Sequence, residues 1–276
     1  MKTKNKTAKI FIYIALIFIS LLCLFPLYWL VRSSFMSYRE IFATPMRWFP
    51  EKLLFSNFSE ALEKMDFLTQ FKNTLIIVVV NIFGTVLSSS FVAFGFTRIN
   101  FPGRNFWFGL LMLTMMIPGI SLIIPQFIVW KTVGFYDTLI PLIFPSFFAS
   151  AFNVFLLKQF YSGIPKDYDE AVYIDGGNYF TVYTKIIMPL TKPALTTICV
   201  FTFMNCWNDF FNPFIYLQSK EKYTLALGLQ AFMGQYVSEW NLLLAASLII
   251  IIPMIILFFF AQKHFIEGIT FSGLKG

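Results

Sequence analysis

Residues 10–31 read IFIYIALIFISLLCLFPLYWLV, a run with no charged side chain. A helix that crosses a bilayer needs about 20 consecutive apolar residues, so this run is long enough to span. Lys2, Lys4, Lys6 and Lys9 precede it. A basic flank and an apolar core also begin a secretory signal. However, the run is longer than a signal's core, and bulky Leu27-Tyr28-Trp29-Leu30 stands where small residues would mark cleavage. We read a retained first helix. Five more stretches share its character: 73–97, 105–130, 138–157, 193–218 and 240–262. Lipid satisfies no backbone polar group, so each is expected as a helix.

The whole composition agrees. The 276 residues are 58% hydrophobic, 20% aromatic and 13% charged, with 37 Phe and a net charge of +7. Soluble domains carry about 25% charged residues. So few charges exclude an ordinary soluble enzyme, a disordered chain and a disulfide-stapled secreted domain. Cys23, Cys199 and Cys206 all sit in apolar runs and show no metal-binding spacing. Cys199 and Cys206 would lie about 10 Å apart along a helix, too far for a disulfide. His264 beside Lys263 reads as an interfacial residue. The expected fold is all-α: a polytopic membrane protein with six transmembrane helices in one domain, 1–276. No segment outside the spans is long enough to bury a core of its own. The four-lysine N-terminus and the long loop after the first span orient the chain with both termini cytoplasmic.

Polar residues inside the spans are the candidates for a pathway. Asn205, Asn208, Asp209 and Asn212 follow an i, i+3, i+4, i+7 spacing, which places them on one face of a helix. An acid within a span usually faces a cavity or the bundle interior. The alternative is a hydrogen-bonded seam between helices. Trp207 and Tyr216 flank that face and could stack on sugar rings. Ser146, Ser150 and Asn153 make a weaker seam of the same kind in the fourth span. Pro118-Gly119 and Pro125 bend the third span. The bend is either a tolerated kink or part of a moving pathway.

Residues 161–190 read YSGIPKDYDEAVYIDGGNYFTVYTKIIMPL. Pro165 can open a short helix, with Asp167, Asp169 and Glu170 at its positive N-terminus. Gly176-Gly177 can close it. Asn178 can cap a second helix, which Pro189 ends. Tyr168, Ala171, Val172 and Asp175 share a face of the first helix. A lipid-binding hairpin would carry Lys and Arg on its polar face; this one carries acids, which favours a protein partner.

The run Glu170-Ala171-Val172, three residues, Gly176, nine residues, Ile186, one residue, Met188-Pro189 resembles the EAA loop of ABC-importer permeases. Val172 and Met188 stand where the pattern has Ala and Leu. Other stretches are similar to the carbohydrate-uptake (maltose and multiple-sugar) branch. These are Phe25-Pro26-Leu27-Tyr28-Trp29-Leu30, Phe94-Gly95-Phe96-Thr97-Arg98 with Phe101-Pro102-Gly103-Arg104, Trp207-Asn208-Asp209-Phe210 with Asn212-Pro213, and the ending Glu267-Gly268-Ile269-Thr270 with Gly273-Leu274-Lys275-Gly276.

The resemblance implies the short six-helix subunit of a permease pair in a bacterial cytoplasmic (inner) membrane. It implies a sugar substrate delivered by an extracytoplasmic solute-binding protein, a second permease subunit, and a cytoplasmic P-loop ATPase dimer that binds ATP and Mg. No nucleic acid and no cofactor of the chain's own are implied, and no G-x-x-x-x-G-K-[ST] occurs. By position, Glu170, Ala171, Val172, Asp175, Gly176, Ile186 and Pro189 would couple to the ATPase, and Asn205, Asn208, Asp209 and Asn212 would line the substrate pathway. An autonomous secondary transporter or channel would need repeated halves or several intramembrane acids. A membrane enzyme would need clustered titratable groups. The sequence offers neither.

Overall fold

The computed structural model describes residues 6–234 and 238–273. Lys2, Lys4 and the terminal Leu274-Lys275-Gly276 lie outside the described residues, as do the side chains of Lys6, His264 and residues 267–270. The longer helices are α1 (Lys6–Ser34), α2 (Ser56–Lys64), α3 (Phe67–Arg98), α4 (Arg104–Leu113), α5 (Ile123–Thr132), α6 (Ala151–Ser162), α7 (Asp167–Ile174), α8 (Lys192–Asn208) and α9 (Trp240–Gly273). The described residues hold no strand beyond an isolated antiparallel bridge, Met233 to Ser238.

Four helical segments are long and apolar enough to cross a bilayer: Lys9–Ser34, Phe67–Arg98, Ile140–Ser162 and Trp240–Phe260. Two bent pairs raise the number to six if each pair is one span. The third span bends at Pro118 as expected, though not at Pro125, while the breaks around 193–218 correct the expectation of one unbroken helix there. α4 with its 3₁₀ extension and the segment leading into α5 meet at 90°. The cause is Pro118. It lacks an N–H, its ring would strike the Thr114 carbonyl, and it forces Ile117 to an extended ψ of 117°. Pro125 makes no break, because it sits in the first turn of α5, where no donor is needed. α8 stops at Asn208 for the same reason: Pro213 would strike the Asp209 carbonyl, and Asp209 is extended with ψ 107°. A separate short helix, Phe211–Tyr216, follows.

The chain forms two compact units. One contains residues up to Phe67 together with Gly228–Pro253; the other contains Leu68–Leu227 and the residues from Met254 onward. In the first unit the Asn57 amide donates to the Ser34 and Met36 carbonyls at 3.0 and 2.9 Å, tying α2 to the end of α1. Lys64 pairs with Glu239 at 2.5 Å.

In the second unit α3 is the central post. Between Phe144 and α6 the fourth span is a 3₁₀ turn followed by an extended break at Phe148, so Ser146, Ser150 and Asn153 do not form one helical face. The loosened carbonyls are met by α3. Asn81 Nδ2 donates to Leu142 O at 3.0 Å and Ser88 Oγ to Ser146 O at 3.0 Å. Gly84 between them lets the segment approach, since a Cβ there would lie 2.4 Å from Ser146 Oγ. This close approach predicts that Gly84→Val costs about 1–3 kcal/mol through overpacking. Gly95, where a Cβ would meet nothing within 4 Å, should accept Ala without loss. Thermal unfolding of the two variants in mild detergent measures the contrast.

Candidate functional site

The hairpin over residues 161–190 is built as its sequence suggests, with one change. α7 starts with Asp167, Asp169 and Glu170 in its first turn. Gly176 turns the chain at φ +79°, a left-handed conformation that favours glycine. Asn178 caps the next turn: its Oδ1 accepts from Thr181 N at 3.0 Å. The second helix, Tyr179–Leu190, contains a π-helical stretch at Val182–Ile187. Pro189 does not end it but lies one residue before its end. The proline lacks an N–H and crowds the Lys185 carbonyl, and a wider turn relieves both problems. The wider turn also alters which residues face inward. Val182 and Ile187, five apart, are both fully buried, and Tyr183 is nearly so. Ile186, expected among the residues that couple to the ATPase, is half-buried.

Three interactions hold this hairpin to the end of α3. Tyr183 stacks on Phe91 at 4.5 Å between centroids, and its hydroxyl lies 2.7 Å from Ser90 Oγ. Arg98 Nη2 donates to the Ile164 carbonyl at 2.9 Å. Arg98 Nε meets Asp169 Oδ2 at 2.8 Å, with side chains only 3% and 9% exposed. Burial pushes the Asp169 carboxyl above its usual range, and the Arg98 and Lys166 charges offset part of that. Sequence reasoning counted Asp169 among helix-end acids and missed this pair. Its partner is distant in the chain, and the available signal was an acid on the same side of α7 as Val172.

α7 therefore has two faces. Asp169 and Val172 point inward; Val172 packs on the buried cluster around Val154, Leu157 and Ile187. That corrects the expectation that Val172 faces a partner. Its Cγ1 occupies the space beside Gly177, where a Cβ would lie only 2.4 Å away. Glu170, Ala171 and Asp175 are exposed, and Ile174 is 86% exposed. Tyr168, Tyr179 and Phe180 add exposed rings at 51%, 50% and 63%. The outcome is a rigidly mounted knob with an apolar tip bordered by acids.

The polar residues of the fifth span are arranged differently from the expected single helical face. Asn205 and Asn208 stay on α8 and are exposed, Asn208 Nδ2 donating to Met204 O at 2.9 Å and lying 3.4 Å from Met254 Sδ. Asp209 lies beyond the helix end. It accepts from Asn212 N at 3.1 Å and Asn212 Nδ2 at 2.9 Å, closing the turn into Phe211–Tyr216. So the structure brings Asp209 and Asn212 together as a helix-break cap, and leaves Asn205 and Asn208 on a different element. Trp207 and Tyr216 are buried at 2% and 4%. Trp207 stacks on Phe203 at 5.1 Å, so these rings serve packing and not a sugar.

A second acid missed from sequence is Asp137, between α5 and the fourth span. It adopts φ +57°, which Asp tolerates. Its carboxylate accepts from Gln218 N at 2.9 Å, Ser219 N at 3.0 Å, Ser219 Oγ at 2.5 Å and Lys222 Nζ at 2.9 Å. Desolvation pushes the carboxyl up, but the Ser219, Gln218 and Lys222 hydrogen bonds together outweigh it and hold the pKa far below the carboxylate range. With its pKa depressed in the folded state, Asp137 contributes its full stabilisation at neutral pH, and that contribution is lost progressively as pH falls below the ordinary carboxylate range. Among the described residues no group of three or more His, Cys, Asp or Glu could hold a metal ion.

Residues 81–270 match the family described as the binding-protein-dependent transport system inner membrane component. The chain is 32% identical, over 99% of its length and 100% of the relative's, to the arabinooligosaccharides transport system permease protein AraQ of Halalkalibacterium halodurans. It is 28% identical, over 91% of its length and 92% of the relative's, to the diacetylchitobiose uptake system permease protein DasC of Streptomyces coelicolor. Its fold is similar, at a TM-score of 0.81, to a crystal structure of a bacterial ABC transporter involved in the import of the acidic polysaccharide alginate. That match has 24% identity and covers 96% of this chain and 100% of the other.

The anchoring of the hairpin can be measured directly. Arg98→Ala leaves Asp169 buried without its cation, a change worth about 3–5 kcal/mol. Amide exchange over residues 164–178 should then accelerate, and Arg98→Ala with Asp169→Ala should restore part of the protection. At the turn, Gly177→Ala should destabilise the hairpin, and Val172→Ala should recover part of the loss, read by the same exchange experiment.

Proposed function

Because this chain belongs to the inner membrane components of binding-protein-dependent transport systems, we propose that it is the permease subunit through which an ATP-driven importer passes a sugar or oligosaccharide. The chain is a transport component and not an enzyme. Its relatives named for arabinooligosaccharides and diacetylchitobiose support the substrate class. Asp209 is the acid within the apolar stretches, and no Arg or Lys lies between the ends of those stretches to meet an anionic substrate. A neutral oligosaccharide fits that chemistry best.

The observation that carries the mechanism is the exposed tip of the hairpin on its buried mount. Among the described residues Ile174 is left almost wholly uncovered, and the rings of Tyr168, Tyr179 and Phe180 are each half or more open. Burying an aliphatic side chain of this size in a partner's groove contributes about 2–3 kcal/mol. Glu170 and Asp175 beside it would give polar registration. The partner in this reading is a cytoplasmic ATPase that binds ATP and Mg, which places the hairpin and both chain termini on the cytoplasmic side. A second permease subunit completes the pore, and a solute-binding protein delivers substrate from outside.

Closure of the ATPase would press on the knob, and the Arg98–Asp169 and Tyr183–Ser90 contacts would pass that displacement to α3. α3 carries Asn81, Gly84 and Ser88, which seat the broken fourth span. A push on α7 therefore has a packed route to a span with a built-in break. The ATPase can shift the pore between inward- and outward-facing states only by binding the two with different free energies. Asn205, Asn208, Asp209 and Asn212 remain the proposed polar lining. The broken helix at Asp209 would let this lining change shape without moving α8 as a whole.

The test is uptake by the complete transporter. Ile174→Lys and Glu170→Lys should each reduce sugar uptake at least tenfold while the chain still inserts in the membrane, and the tagged variants should recover less of the ATPase on purification. Uptake at the wild-type rate with both variants would overturn the coupling role. Purification of the wild-type chain in mild detergent without any ATPase companion would overturn the importer reading itself.

A further inference from the structure

Residues 42–55 read FATPMRWFPEKLLF and follow the end of α1. Phe42, Trp48, Phe49, Leu53 and Phe55 are 55%, 53%, 76%, 53% and 66% exposed. An aromatic cluster of this size left open needs a covering phase.

The segment is held in place rather than loose. Ser37 and Glu40 form a reciprocal cap, and Glu40 Oε1 accepts from Glu51 N at 3.0 Å. Leu54 N donates to Phe35 O at 3.0 Å. Two further bonds fix its height against α1. The Tyr28 hydroxyl donates to the Trp48 carbonyl, and Arg32 donates to the Arg47 carbonyl while its guanidinium lies 4.3 Å from the Trp29 ring. The segment thus turns back along α1 and docks beside residues 28–32 instead of extending beyond Ser34.

That height is informative. The candidate span within α1 starts at Lys9. Tyr28 is about 28 Å further along at 1.5 Å per residue, close to the hydrocarbon thickness of about 30 Å. With hydrocarbon beginning at Lys9 and α1 along the bilayer normal, Trp48 and Phe49 would fall where the acyl chains give way to headgroups, the zone in which Trp and Tyr concentrate. None of the apolar window of α1 is buried within this chain, so the exposed rings continue the uncovered apolar surface of that helix. Charge adds little: Arg39, Arg47 and Lys52 oppose Glu40 and Glu51, and Arg47 pairs with Glu51. A surface so nearly balanced suits a zwitterionic interface and offers no pull to a strongly acidic or basic protein.

We propose that residues 42–55 lie in the headgroup–acyl boundary of the leaflet at which α1 ends, as a side-chain anchor that fixes the depth of the first helix. The anchor would resist vertical movement of α1 when the rest of the transporter changes state, and it does not depend on which sugar is carried.

The experiment uses the assembled transporter in phosphatidylcholine nanodiscs. The emission of Trp48 is taken as the difference between wild type and Trp48→Phe. Lipids brominated at carbons 6 and 7 should quench at least half of it, lipids brominated at carbons 11 and 12 less, and aqueous iodide little. Added anionic lipid should not change the result. Quenching by iodide without quenching by the bromolipids would overturn the proposal by placing the loop in water. Protection from both quenchers would overturn it in favour of a covering protein. If Trp48→Phe fails to assemble, a nitroxide at Phe49→Cys, with Cys23→Ala, Cys199→Ala and Cys206→Ala, reads the same depth. Oxygen should broaden its spectrum more than a water-soluble nickel chelate, and the reverse order would overturn the proposal.

Discussion

A backbone carbonyl in hydrocarbon has no water to accept from, and this chain places prolines where they interrupt helices in or beside its apolar stretches, at 118, 145, 189 and 213. Each proline removes a donor and pushes against the carbonyl four residues earlier. The structure accommodates each differently. Pro118 gives a bend of 90°, Pro189 a π-helical stretch before it, and Pro213 a full stop at Asp209 with Asn212 bonded back. Beside Pro145 the loosened segment is met by Asn81 and Ser88 of α3. The polar residues of α3 make it a post against which a broken span can rest, and much of the second unit's arrangement follows from that role.

The same helix ends in the buried Arg98–Asp169 pair. A buried ion pair is a poor source of stability, because desolvating two charges costs nearly as much as their attraction returns. What it supplies is a strict geometry: one acid on the inner face of α7 must meet one guanidinium at the end of α3. With the Tyr183–Ser90 contact, it ties the hairpin to α3 at two points. The outer face of α7 is left exposed, which is the division of labour the proposed coupling role requires.

Much of the candidate site was legible in local sequence. The Gly176 turn, the Asn178 cap and the acidic first turn of α7 depend on neighbouring residues, and each was found as expected. The inward turn of Val172, the burial of Ile187 and the pairing of Asp169 were not legible. They depend on a π-helical stretch and on a partner far away in the chain. The break at Asp209 lay between these cases. Pro213 was visible, and its clash with the residue-209 carbonyl follows from helix geometry, yet the polar spacing of 205, 208, 209 and 212 invited an unbroken helix.

By itself the sequence determined that the chain crosses a membrane, about where its apolar stretches run, and that a short acidic hairpin interrupts them. Hydropathy over some 20 residues and the local chemistry of caps and glycines are properties of contiguous sequence. Only the tertiary structure decided how sharply the third span bends and that the fifth is broken, which face of the hairpin is free, and that Asp137 and Asp169 are clamps instead of solvated acids. Those outcomes rest on contacts between residues such as Asp137 and Ser219, or Arg98 and Asp169, whose proximity no local periodicity encodes.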